Sequence, residues 1–119
     1  MDKELSLLLP LVKNCSAITI NDVVFHTGKI GNRDVVILKS GIGKVNAAIA
    51  TLTLIDNFHV NLVINTGVAG GTGYKASIGD VVIADRIAYH DVWCGPGTKP
   101  GQMSGCPEYF SCPLGRETL

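Results

Sequence analysis

Apolar positions recur at helical spacing in two stretches of the chain. Leu5, Leu8 and Leu9 share one face of a helix predicted over Met1 to Leu9, with Asp2 and Glu4 in its first turn and Pro10 placed to end or kink it. From Lys44 to Phe58 the positions Val45, Ala48, Ile49, Leu52 and Ile55 repeat every three or four residues, and three alanines add helix propensity. Elsewhere the pattern is that of strands. Val23 to Thr27 and Val35 to Leu38 flank a stretch holding Gly28, Gly31, Asn32 and Asp34, which predicts an antiparallel hairpin. Leu62 to Asn65 is a short apolar run of the kind buried on both faces of a covered sheet, and Asp80 to Ala84 is another, continuing toward Tyr89. Between Cys94 and Gly105 periodicity disappears under glycine and proline, which predicts a surface or interface loop. Strand, helix and strand in succession imply an α/β fold with a largely parallel or mixed sheet.

Composition narrows the partners. The 119 residues carry ten Lys and Arg against ten Asp and Glu, so the formal charge is zero, and 46% are hydrophobic. That is enough apolar surface for a core and sets an upper bound of one domain. Without a basic cluster there is no electrostatic footprint for nucleic acid, and the expected partner is a small molecule or a protein. The run Leu5 to Val12 is far shorter than the roughly 20 residues of a membrane-spanning helix. The opening Met1-Asp-Lys-Glu4 lacks the basic and apolar order of a secretory signal, so a cytoplasmic location is expected. Cys15, Cys94, Cys106 and Cys112 form no C-x-x-C pair, which leaves unpaired thiols as the expectation and no zinc site.

Two glycine-rich loops remain as candidate chemistry. Lys39-Ser-Gly-Ile-Gly-Lys44 is not a P-loop, because that motif needs Gly at Leu38 and Ser or Thr at Val45. Gly71-Thr-Gly-Tyr-Lys-Ala76 fits the loose dinucleotide pattern, yet a strand pattern resumes at Asp80 where the phosphate-binding helix should run. What survives is Ser40 to Gly43 and Thr66 to Gly71, each after an apolar strand, where open α/β sheets bind ligands. Glycine there lets the backbone approach a flat ligand closely, or simply makes a tight turn.

In order, Met1-Asp-Lys-Glu4, Lys39-Ser-Gly-Ile-Gly-Lys-Val45, Asn65-Thr-Gly-Val-Ala-Gly-Gly71, Ile78-Gly-Asp-Val-Val82 and Tyr89-His-Asp91 resemble the motifs of the 5′-methylthioadenosine/S-adenosylhomocysteine nucleosidases. The resemblance implies a three-layer nucleoside phosphorylase-like fold with a mixed central sheet flanked by helices. It implies hydrolysis of an N-glycosidic bond with release of adenine, in methionine salvage, by a homodimer that uses no metal or organic cofactor. Glu4 matches the glutamate that holds the attacking water, a role that a carboxylate fills by orienting water and accepting its proton. Ile42 matches a position lining the thioalkyl and ribose region, and Val68, Ala69 and Gly70 match the loop beside ribose and base. By residue type alone, Glu4 is an ordinary helix-start acid, and Ile42 and Val68 are ordinary core residues. Many relatives carry Ser in place of Val68, so any ligand contact there depends on backbone and shape. Asp91, Trp93 and Pro96 match the region that family dimers extend toward a partner, with Trp93 an interface anchor or a local core residue. His90 reads as structural rather than as a base.

Against that family, the chain begins at the Met of an Ala-Met-x-x-Glu segment that normally follows a first strand of the Lys-Ile-Gly-Ile-Ile type. The family's ribose-binding glutamate and adenine-protonating aspartate belong to its carboxyl-terminal half. Residues 1–119 are thus expected to form one incomplete domain, lacking the first strand and that half, and to be catalytically incomplete. Three competing readings follow. A phosphorylase of the same fold needs a cationic phosphate site, and Arg33 and Arg86 lie outside both glycine loops. Futalosine hydrolase shares the fold, and a non-catalytic fragment would bind nucleoside weakly or associate with other subunits.

Overall fold

The computed structural model describes residues 2–71 and 76–111. Cys112 and most of the Gly71–Ala76 glycine pattern lie outside these residues. The chain divides into two compact units, residues 1–70 and 71–119.

In the first unit, α1 (Asp2–Leu8) runs into a single 3-10 turn, Leu9–Leu11, that contains Pro10. The helix stops because Pro10 has no N–H to donate and its ring crowds the preceding turn. Val12 closes the turn by donating its N–H to the Leu9 carbonyl at 3.0 Å, and its side chain enters the core. Three antiparallel strands follow as a meander, β1 (Lys13–Ile20), β2 (Val23–Ile30) and β3 (Arg33–Leu38). The predicted hairpin is β2–β3, in register from Phe25 opposite Leu38 to Ile30 opposite Arg33.

The sequence pattern misses β1, and its exposure explains why. As an edge strand with little buried surface, Lys13–Ile20 mixes Asn14, Cys15 and Ser16 with a short alternation at Ile18 and Ile20. Ile20 pairs with Val23, leaving a two-residue turn at Asn21 and Asp22 with φ of 50° and 61°. Positive φ at both positions is the twist-matched hairpin geometry, and the Asn-Asp dipeptide between β-branched residues was its signal. Near the start of β1 the register shifts between Lys13 and Ser16, where Asn14 also has positive φ.

The second helix, α2 (Lys44–Phe58), has the predicted bounds and ends at His59 in the left-handed region. Its buried face differs from the predicted one. Ala50, Thr53 and Leu54 are buried, and Phe58 meets the fully buried Phe25 of β2 with ring centroids 5.1 Å apart. The predicted stripe is largely exposed, with Val45 at 72% and Leu52 at 61%. Apolar residues occupy both faces of α2, so spacing alone could not choose between them; Phe25 of the sheet meets Phe58, one turn beyond the buried Leu54.

Leu62 to Asn65 and Asp80 to Ala84 are not strands, contrary to the pattern. Both are exposed and belong to neither described sheet. A strand exists through its ladder, and apolar, β-branched composition does not supply one without a paired neighbour. The sheets in the described residues are therefore antiparallel, and no helical crossover joins parallel neighbours in them.

In the second unit, β4 (Arg86–Ile87) pairs with β5 (Phe110–Ser111). The Arg86 guanidinium lies 4.9 Å from the Tyr109 ring centroid, and Tyr89 meets Phe110 edge to face at 6.2 Å. The intervening glycine- and proline-rich segment forms turns, as predicted. Gly101 donates to the Val92 carbonyl at 2.8 Å with φ of 89°, against the Tyr89 backbone where a Cβ does not fit. Lys99 and Glu108 form an ion pair at 3.0 Å.

Candidate functional site

All five candidate site residues fall in the first unit. Glu4 lies in the first turn of α1, half-buried. Its Oε1 accepts a hydrogen bond from the Val68 N–H at 3.0 Å, across 64 residues of sequence. The acid at the helix start is thereby brought to the second glycine loop. Its carboxyl is held below the ordinary carboxylate range, first by the chain's amino group and then by the Val68 N–H, both of which favour the charged form. A carboxylate so held is ionised at neutral pH and able to accept a proton.

Two residues earlier on α1, Asp2 Oδ1 meets Lys39 Nζ at 2.6 Å, at the end of β3 where the first glycine loop begins. The hydrogen bond from Lys39, and then its charge, lower the Asp2 carboxyl. This helix start is thus linked to both glycine loops, at Lys39 and at Val68. Sequence reasoning missed Asp2 and Lys39, because nothing in a linear pattern pairs charges 37 residues apart.

Ile42 is 90% exposed, at the crest of a loop whose flanking Gly41 and Gly43 have φ of 83° and 91°. These are left-handed conformations that glycine adopts without a Cβ penalty. Asn46 steadies the crest by donating from Nδ2 to the Ile42 carbonyl at 2.8 Å. Val68 is 76% exposed, and Ala69 and Gly70 are exposed beside it. Ile42 and Val68 are therefore not core residues in this structure. The structure joins Glu4 to Val68 directly and presents Ile42, Ala69 and Gly70 as open loop positions.

An open depression of about 1220 Å³ lies among α1, β3, α2 and residues 59–66. Glu4 is on its wall with Leu5, Leu8, Leu38, Phe58 and Ile64, whereas Ile42 and residues 68–70 are not. It is larger than a usual small-molecule pocket, and it reaches Ser40 and Gly41 of the first glycine loop and Thr66 of the second. Among the described residues no three His, Cys, Asp or Glu come together as metal ligands. No described helix is long and apolar enough to cross a membrane. Cys15, Cys94 and Cys106 are free thiols, and His90 Nδ1 lies 3.7 Å from Asp91 in the second unit.

A family model described as the phosphorylase superfamily matches residues 1–116. A 5′-methylthioadenosine/S-adenosylhomocysteine nucleosidase of Staphylococcus saprophyticus is 39% identical over 111 residues, 92% of this chain and 49% of that protein. The structure is similar to S-adenosylhomocysteine nucleosidase of Streptococcus pyogenes in complex with 5-methylthiotubericidin, with TM-score 0.90 and 38% identity over 97% of this chain and 49% of that one. It is also similar to the Neisseria meningitidis 5′-methylthioadenosine/S-adenosylhomocysteine nucleosidase bound to methylthio-immucillin-A, with TM-score 0.87 and 39% identity over 93% and 48%. The chain spans about half the length of the relatives it matches. The high TM-scores at this coverage show a nucleoside phosphorylase-like α/β fold over these residues. On the family match and these likenesses together, the chain belongs to the phosphorylase superfamily, and the relatives it resembles there include 5′-methylthioadenosine/S-adenosylhomocysteine nucleosidases.

Proposed function

We propose that these residues carry the water-activating part of an N-glycosyl hydrolase that cleaves 5′-methylthioadenosine and S-adenosylhomocysteine to release adenine. The observation that carries the reading is the Glu4–Val68 hydrogen bond, which sets an ionised carboxylate against the loop that resembles the nucleosidases' ribose- and base-binding segment. Glu4 orients a water toward the anomeric carbon and accepts its proton as the bond to the base breaks. Ile42 lines the thioalkyl side, and Val68, Ala69 and Gly70 shape the ribose and base side through backbone and contour. The substrate is a nucleoside, the assembly a homodimer and the location cytoplasmic, with methionine salvage as the setting.

Water suits this site better than phosphate as nucleophile. The Glu4 carboxylate repels an anion, Arg33 opens β3, and Arg86 is engaged over the Tyr109 ring. Adenine leaves poorly as an anion, and a general acid contributes on the order of 10²–10⁴-fold to such a departure. We assign no residue among these 119 to that task, so the isolated chain is expected to be catalytically incomplete.

The test is adenine release from methylthioadenosine, without phosphate, by the 119-residue chain, by a form extended to the length of its relatives, and by Glu4→Gln in each. The expected result is release by the extended form alone, with loss in Glu4→Gln. Release by the short chain would show that an acid lies within it; phosphate dependence would point to a phosphorylase, and preference for futalosine to the hydrolase of that substrate.

A further inference from the structure

Gly67, which none of the site assignments includes, faces the carboxylate they depend on. A Cβ built at Gly67 would stand 3.2 Å from Glu4 Oε1 and 3.9 Å from Cδ, closer to the oxygen than ordinary van der Waals contact. The same oxygen accepts from the next N–H in the chain, that of Val68, at 3.0 Å. Gly67 is not among the glycines with positive φ, so its backbone suits any L-residue. The need for glycine is therefore one of space and comes from Glu4. Gly70 and Gly71, farther along the loop, have nothing within 4 Å of a built Cβ.

We propose that Gly67 is a positioning residue: by lacking a Cβ it lets the Glu4 carboxylate rest on the Gly67–Val68 backbone and keep its hydrogen bond to the Val68 N–H. Its importance for the reaction rests on the reading of Glu4 as the water-orienting group; its effect on the carboxylate does not. An added methyl pushes the carboxylate a few tenths of an ångström outward, lengthening the bond to Val68 and moving any water held by Glu4. Because that bond favours the charged form, weakening it also raises the pH at which Glu4 takes up a proton.

The experiment follows the Val68 amide proton by NMR through the Glu4 titration in the 119-residue chain, in wild type, Gly67→Ala, Glu4→Gln, Glu4→Asp and the Glu4→Asp/Gly67→Ala double variant. In wild type the Val68 signal should titrate with one carboxylate, and Glu4→Gln should abolish this. Gly67→Ala should reduce the amplitude at least twofold and move its midpoint upward, with the amides of Phe25 and Ala50 unchanged. Aspartate is one methylene shorter and withdraws from the new methyl. Gly67→Ala should therefore lower the melting temperature in the wild-type background and have little effect alongside Glu4→Asp. An unchanged Val68 titration in Gly67→Ala, or an equal loss of melting temperature in both backgrounds, overturns the proposal. In a form that releases adenine, Gly67→Ala should lower kcat at least tenfold with KM within twofold. If Glu4→Gln keeps full adenine release, the catalytic reading fails while the amide result stands on its own.

Discussion

Among the described residues Phe25 is the largest fully buried side chain, and its ring meets Phe58 of α2. Truncation removes both the apolar burial and the ring contact, so Phe25→Ala should cost roughly 3–5 kcal/mol, read as a shift in the denaturant midpoint. Gly28 works by omission. Any Cβ there would collide with the Val12 side chain and lie 2.7 Å from the Lys13 carbonyl oxygen, so Gly28→Ala should destabilise by about 1–3 kcal/mol in the same measurement. The Lys99–Glu108 pair gives a pH signature. The hydrogen bond from Lys99 lowers the Glu108 carboxyl, and the bond to Glu108 raises the Lys99 amine. The Glu108 contribution is present above its unfolded pKa and is lost as pH falls through the depressed folded value. The Lys99 contribution is present below its unfolded pKa and is lost as pH rises through the raised folded value. A carboxyl NMR titration should therefore place the Glu108 midpoint below that in Lys99→Met. Glu4 was legible at this scale only through its flanking motif, because a lone acid in a first helical turn is commonplace.

Elements were legible where local rules sufficed. The bounds of α2, the helix stop at Pro10 and the β2–β3 hairpin all follow from spacing, proline and turn residues. β1 was not legible from alternation because an exposed edge strand has little reason to alternate. Its turn is the sharper marker: Asn21 and Asp22 hold positive φ, which β-branched residues tolerate poorly. Asp22→Val should cost about 1–2 kcal/mol in chemical denaturation, and Asp22→Gly should not destabilise. Leu62 to Asn65 illustrates the opposite case, a segment with strand composition and no ladder.

At the scale of the molecule, much apolar surface remains uncovered in a chain that spans about half the length of its relatives. α2 buries Ala50 and Leu54 yet exposes Val45, Ile49, Leu52 and Ile55, while Leu62, Val63 and Ile64 are exposed alongside the open depression. Exposed apolar area of this extent promotes association. The isolated chain should therefore sediment above monomer mass and bind an apolar dye, and Leu52→Lys should reduce both while leaving the far-ultraviolet helical signal intact.

Local patterns in the sequence specified α2, the stop at Pro10, the β2–β3 hairpin and the order of motifs that marks the superfamily, because helix periodicity, proline stops and turn residues are short-range properties of the chain, whereas β1 and the unpaired segments Leu62 to Asn65 and Asp80 to Ala84 depend on strand neighbours. Tertiary structure alone decided which face of α2 is buried, that Asp2 meets Lys39, and that Glu4 rests on Gly67 and Val68. Those contacts join residues tens of positions apart, and their energy comes from packing and charge placement that no local pattern encodes.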